Sequence, residues 1–134
     1  MEEDVLLVTE MNSDTTVVGP RIVNGILKWR EGDTFCIKWK ITLSKDGIPK
    51  EYKEGDQFIV SFYKNKSDRA VYSFICSDIG TSNTIFLEFN NKITQFFKAG
   101  FYSYCLKYST TEDGEPKILT IGAKYPVEVE RCHW

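Results

Sequence analysis

The run Thr34-Phe35-Cys36-Ile37-Lys38-Trp39-Lys40-Ile41-Thr42-Leu43 alternates apolar and polar residues without a break. A strand turns successive side chains to opposite faces. Phe35, Ile37, Trp39, Ile41 and Leu43 therefore share one face, and Cys36, Lys38, Lys40 and Thr42 the other. Such a strand has one side in a core and the other toward water. Gly32-Asp33 ahead of it and Ser44-Lys45-Asp46-Gly47 behind it are turn signals, and Ile48-Pro49 prolongs the second excursion.

Outward from this run the chain repeats the theme of short apolar stretches between polar turns. Ile22 to Trp29 precedes it. Gln57 to Lys64 and Ala70 to Cys76 read as a hairpin around the charged turn Asn65 to Arg69, and Thr84 to Phe89 as a further strand. The period then changes: Ile93, Phe96 and Phe97 are spaced for a helical turn near 91–98, after the capping residues Asn90-Asn91 and before Ala99-Gly100. Phe101 to Ser109, with Tyr102, Tyr104 and Tyr108 alternating, and Lys117 to Val129 flank the turn Glu112 to Pro116. Gly122 marks a bulge or a change of sheet, and Pro126 suggests an edge. About seven strands and one short helical turn predict an all-β, antiparallel β-sandwich. Phe35, Ile37, Trp39, Ile41, Phe58, Val60, Phe62, Tyr102, Tyr104 and Leu106 are its expected core.

The 134 residues suit one domain, 14% of them are aromatic, and 17 basic against 19 acidic side chains leave a net charge of −2. No basic cluster suggests a nucleic-acid partner. Glu2, Glu3 and Asp4 stand where an export signal carries Lys or Arg, and the apolar run after them is too short for a membrane. Folding in a reducing cytoplasm, with no membrane association, is the expectation. Residues 1–21 read as an N-terminal arm and 22–134 as the sandwich domain. Val5, Leu6, Leu7 and Val8 are apolar enough to want a partner; the arm is either disordered, paired with a neighbouring subunit, or an edge strand of its own sheet.

Cys36, Cys76, Cys105 and Cys132 are even in number, but parity sets Cys36 on the polar face and Cys105 opposite the face of Tyr102, Tyr104 and Leu106. A disulfide through the core needs inward positions, so free thiols are expected. Their spacing fits no zinc site. The one histidine, His133, lies next to the end of the sequence, a poor place to hold a catalytic base. The acidic residues fall mainly in turns and read as solvated charge, and no phosphate-binding glycine motif occurs. The reading is of a non-enzyme without cofactor, metal or catalytic residues. Trp29, at the end of a strand, and Trp134, at the end of the sequence, are candidate interface anchors beside Val5 to Val8.

Glu31-Gly32-Asp33-Thr34-Phe35 leads into the alternating strand, and Phe58-Ile59-Val60-Ser61-Phe62-Tyr63-Lys64 into the second hairpin. The series ends with Phe97-Lys98-Ala99-Gly100-Phe101-Tyr102-Ser103-Tyr104, Asp113-Gly114, Ile118 to Gly122 and Tyr125 to Val129. Together these features, over Glu31 to Glu130, resemble the immunoglobulin-like N-terminal domain of phage baseplate upper proteins and related small domains of tailed-phage tail and fibre proteins. The resemblance implies an immunoglobulin-like sandwich made in the bacterial host cytoplasm and built into the virion. It further implies a docking module in a tail, baseplate or head-fibre assembly, with other virion structural proteins or its own copies as partners. Unlike those proteins, the sequence ends a few residues past its last strand and carries an arm before the first. A carbohydrate-binding sandwich, suggested by the tyrosines, is the alternative.

Overall fold

The computed structural model describes residues 5–13, 20–45, 48–49, 51–77, 79 and 83–131. The elements in chain order are β1 (Val5–Ser13), β2 (Arg21–Val23), β3 (Ile26–Arg30), β4 (Phe35–Lys45), β5 (Ile48–Pro49), β6 (Gln57–Lys64) and β7 (Ala70–Cys76). They continue with β8 (Thr84–Phe89), α1 (Asn91–Thr94), β9 (Gly100–Glu112) and β10 (Glu115–Glu130). One sheet is centred on β4, which pairs with β1, β5 and β8. The other runs in the order β2-β3-β10-β9-β6-β7. The fold is all-β, with two sheets packed face to face and one short helix between β8 of the first and β9 of the second.

The alternation at 34–43 holds residue by residue. Phe35, Ile37, Trp39, Ile41 and Leu43 are buried, whereas Lys38 and Lys40 are exposed and Cys36 and Thr42 half-buried. Phe58, Val60, Phe62, Tyr102 and Leu106 are buried opposite them, and Tyr104 is half-buried at the margin. The centre is aromatic: the Trp29 ring lies 5.0 Å from Phe89, 5.4 Å from Phe35 and 5.5 Å from Phe97. Tilted and edge-on pairs of this kind each add about 0.5–1.5 kcal/mol beyond the area they bury. Asn90 caps α1, its side chain accepting from the backbone N–H of Lys92 and Ile93 at 3.0 and 3.1 Å.

Several expectations change. The first strand is a hairpin, β2 and β3, folded at Asn24-Gly25, where φ is +51° and +80°. These are the left-handed conformations a tight two-residue turn requires. The sandwich is not wholly antiparallel, because β3 pairs in parallel with β10 over Leu27–Val127 to Arg30–Glu130. Pro126 is not on an edge strand, since β10 lies between β3 and β9. It stands one residue before the first β3–β10 pair, Leu27–Val127, and opposite Ser103 of β9. Gly122 does mark an irregularity, with register shifts on both sides of it.

Of the three states expected for the arm, its Val5–Ser13 part takes the own-sheet one. Val5–Ser13 is a strand of its own sheet, antiparallel to β4 from Val5–Ser44 to Ser13–Ile37, with an irregularity between Val8 and Glu10.

The topology is that of an immunoglobulin-type sandwich. The N-terminal region divides between the two sheets, β1 beside β4 and β3 beside β10, and the Tyr102 hydroxyl donates to the Lys98 carbonyl at 2.7 Å. A tyrosine near the start of this strand, bonded back to the preceding corner, is a hallmark of such domains.

Candidate docking surface

The two halves of the larger sheet differ in how their outer face is charged. Around β2, β3 and β10 the outer face carries ion pairs, Arg21 reaching Glu130 at 2.6 Å and Lys28 reaching Glu128 at 3.2 Å, together with exposed Ile22, Val23 and Ile118. Both pairs lie at the surface, half-buried apart from the exposed Arg21, and contribute about 0–1 kcal/mol each. At the opposite margin, β6 from Gln57 to Tyr63 and all of β7 contain no charged residue.

β7 is the last strand of its sheet, and among the described residues it pairs with β6 alone. Natural edge strands are commonly guarded by lysine, proline, inward charge or brevity. β7 has seven residues, Ala-Val-Tyr-Ser-Phe-Ile-Cys, with no lysine, proline or charge, and its one irregularity is a bulge at Val71, where the ladder with β6 shifts register. Its charges are confined to the preceding turn, with Lys66, Asp68 and Arg69, where Lys66 takes φ +64° and the Ser67 N–H closes on the Lys64 carbonyl at 2.9 Å.

Phe74 points into the core, 4.9 Å from the Phe89 ring. On the outer face Ile75 is 63% exposed beside half-buried Ile59, and the Ser61 and Ser73 hydroxyls are hydrogen-bonded at 2.8 Å. Half-buried Tyr72 stacks with Phe96 at 5.9 Å, and Phe96 is 54% exposed. Phe86, on the outer face of β8, is also exposed, and the Cys76 thiol contacts its carbonyl oxygen at 3.8 Å. Burial pushes that thiol up to about 11, so it is protonated at neutral pH. Three of the exposed large apolar side chains, Ile75, Phe86 and Phe96, thus belong to β7 or to the segments beside it.

The site residues expected from sequence fare differently. Trp29 is no interface anchor. It is 1% exposed, because it shares the inner face of β3 with Leu27 and sits among the aromatic rings. Val5 to Val8 pair with β4. Trp134, His133 and Cys132 lie outside the described residues. Cys36, Cys76 and Cys105 are free thiols.

Sequence reasoning did not single out the edge position of β7, and it misread Asp56, which is a turn residue but not solvated. Only 1% exposed, it accepts hydrogen bonds from Tyr108 and Thr110 at 2.6 Å each and from the Lys53 N–H at 3.1 Å. This cluster ties the 51–56 segment to β9. Beside Phe101, which is 61% exposed, lies an open hollow of about 670 Å³, whose rim includes Lys66, Lys124 and Pro126. Among the described residues no three His, Cys, Asp or Glu side chains converge as metal ligands would, and no helix is long and apolar enough to cross a membrane. A scan of protein-family models and a search of curated proteins found no match to the chain.

Proposed function

We propose that this protein is a structural component of a tailed-phage virion, a docking module that joins a tail, baseplate or head-fibre assembly through protein contacts and catalyses no reaction. The observation that carries the docking part is the uncharged edge strand β7, flanked by exposed Ile75, Phe86 and Phe96. Unpaired main-chain groups on such an edge give a partner strand hydrogen bonds of fixed direction, and the apolar side chains beside them supply area to bury. What supports the virion part is the series of strand and turn motifs from Glu31 to Glu130.

The carbohydrate reading gains nothing from the tyrosines. Tyr102 and Tyr108 are buried, Tyr104 is half-buried, exposed Tyr125 lies against the Tyr104 ring at 4.9 Å, and exposed Phe86 and Phe101 stand on different sheets. The test is location. Particles purified by density gradient and analysed by mass spectrometry are expected to contain the chain in a fixed ratio to the other structural proteins. Its absence from purified particles overturns the virion reading.

A further inference from the structure

We infer that the hollow beside Phe101 is a binding site for an acidic side chain of a partner protein, one that stands next to a large apolar residue. That its bearer is a protein rests on the docking reading, whereas the site itself is separate from the edge of β7.

Among the described residues, Asn24, Lys66, Asn83, Asp113 and Lys124 hold a left-handed backbone without being glycine, with φ of +51°, +64°, +56°, +51° and +62°. Asn and Asp enter this region most readily, because their short polar side chains bond locally. Lysine lacks that short group. The two exceptions, Lys66 in the β6–β7 turn and Lys124 in the irregular stretch of β10, are far apart in sequence, yet both border the same hollow. Backbone of this kind, kept where asparagine or glycine would fit more easily, gathers where a side chain has a task.

The charged residues lining the hollow are Lys66, Lys124 and Asp68, two ammonium groups against one carboxylate, which leaves one net positive charge. Among the described residues none of the three forms an ion pair within the protein. A singly charged carboxylate balances that charge. A phosphate group, with a charge of about −1.5 to −2 at neutral pH, overshoots it and meets stronger repulsion from Asp68. Beside the lysines lie Phe101, which is 61% exposed, exposed Pro126 and half-buried Ile26. Phe101 and Pro126 take outward positions that alternate with buried Tyr102 and Val127. They form an apolar wall, so the residue next to the acid is apolar as well.

The test titrates the full, isotope-labelled chain with the dipeptide phenylalanyl-glutamate, acetylated and amidated at its ends, and follows amide shifts by NMR. Saturable shifts centred on Lys66, Phe101 and Lys124 are expected in the millimolar range. The glutamine counterpart keeps the shape and loses the charge, and should bind about three- to fivefold more weakly, as for an exposed ion pair. Lys66→Asn and Lys124→Asn should weaken binding of the glutamate peptide by a similar factor without lowering the melting temperature, since asparagine suits this backbone better.

No saturable shift at the hollow, equal binding of the two peptides, or unchanged affinity in both lysine variants overturns the inference. So does tighter binding of phenyl phosphate than of the glutamate peptide. None of these results bears on the particle analysis, which scores the docking reading independently.

Discussion

Trp39 and Tyr104 meet at 5.1 Å between ring centroids, joining the inner face of β4 to that of β9. Tyr104 lies two residues beyond the corner tyrosine Tyr102, where an immunoglobulin domain carries the second cysteine of its inter-sheet disulfide. Phe62 packs on the same ring at 5.5 Å. The two sheets are thus held at this level by tilted aromatic pairs, while Cys36 and Cys105, which form no disulfide, lie at positions of opposite parity to Trp39 and Tyr104.

Truncation of that pair should be costly and coupled. Tyr104→Ala is expected to destabilise the fold by about 2–4 kcal/mol, since large aromatic truncations in cores cost about 3–5 and Tyr104 is only half-buried. A double-mutant cycle with Trp39→Phe should return a coupling of about 0.5–1.5 kcal/mol. Denaturant unfolding measures both. Additive effects would mean that the rings touch without mutual stabilisation.

The Asp56 cluster predicts sensitivity at both ends of the pH scale. Burial pushes its carboxyl upward, but hydrogen bonds from Thr110, Tyr108 and the Lys53 backbone, with the Lys53 charge, outweigh that, and the net shift is down from 3.8. A depressed folded value contributes stability above 3.8 that is lost as pH falls from there through the lower folded value. Tyr108 moves the other way. Burial and its bond to Asp56 raise it above 10.0, so its contribution is complete below 10.0 and lost as pH rises beyond. Asp56→Ala leaves three donors without this acceptor and should cost about 3 kcal/mol, flattening the acid limb of stability against pH. An unchanged acid limb would show that other carboxylates control acid unfolding.

The corner bond is isolated enough to test alone. Tyr102→Phe keeps the buried ring and removes only the hydroxyl that donates to the Lys98 carbonyl, so a loss of about 1 kcal/mol is expected in chemical denaturation. A loss near zero would mean that water replaces the donor at no cost.

What sequence revealed and what it hid divides along physical lines. The period-two burial of Phe35 to Leu43 is local, and so was visible, as were the Asn90 cap and the irregularity at Gly122. The Asn24-Gly25 turn was equally local and was overlooked inside an apolar run. Three features depended on which strands become neighbours. The parallel pairing of β3 with β10 joins residues a hundred positions apart, the burial of Trp29 follows from that pairing, and the edge position of β7 from the order of the whole sheet. Asp56 was hidden for a similar reason, because a carboxylate in a turn is solvated unless donors from a distant strand arrive above it.

Gly122 offers a graded test of the β10 irregularity. A Cβ built there would lie 2.2 Å from the Tyr125 hydroxyl oxygen, but that is the far end of a side chain which is itself 38% exposed. Gly122→Ala should therefore displace Tyr125 from its 4.9 Å contact with Tyr104 without breaking the strand. The expected loss is about 1 kcal/mol, and in a Tyr125→Ala background the same substitution should be close to neutral. Equal losses in both backgrounds would locate the clash in the backbone.

Removal of residues 1–19 tests whom β1 serves. In the structure β1 covers one side of β4 through eight opposed residue pairs, from Val5–Ser44 to Ser13–Ile37. Cross-strand pairs contribute roughly 0.2–1 kcal/mol each, so the whole strand is worth on the order of 3 kcal/mol. For a domain of this size that corresponds to a melting temperature lower by roughly 10 °C. Deletion also uncovers the β4 edge, a row of main-chain donors and acceptors beside the core, and an uncovered edge promotes association. Lys38 and Lys40 on that strand limit the association without abolishing it. The expected outcome is thus a lower melting temperature, with slow aggregation on storage. An unchanged melting temperature with loss of assembly would show instead that β1 serves a neighbouring subunit, and that its place beside β4 contributes little to the fold.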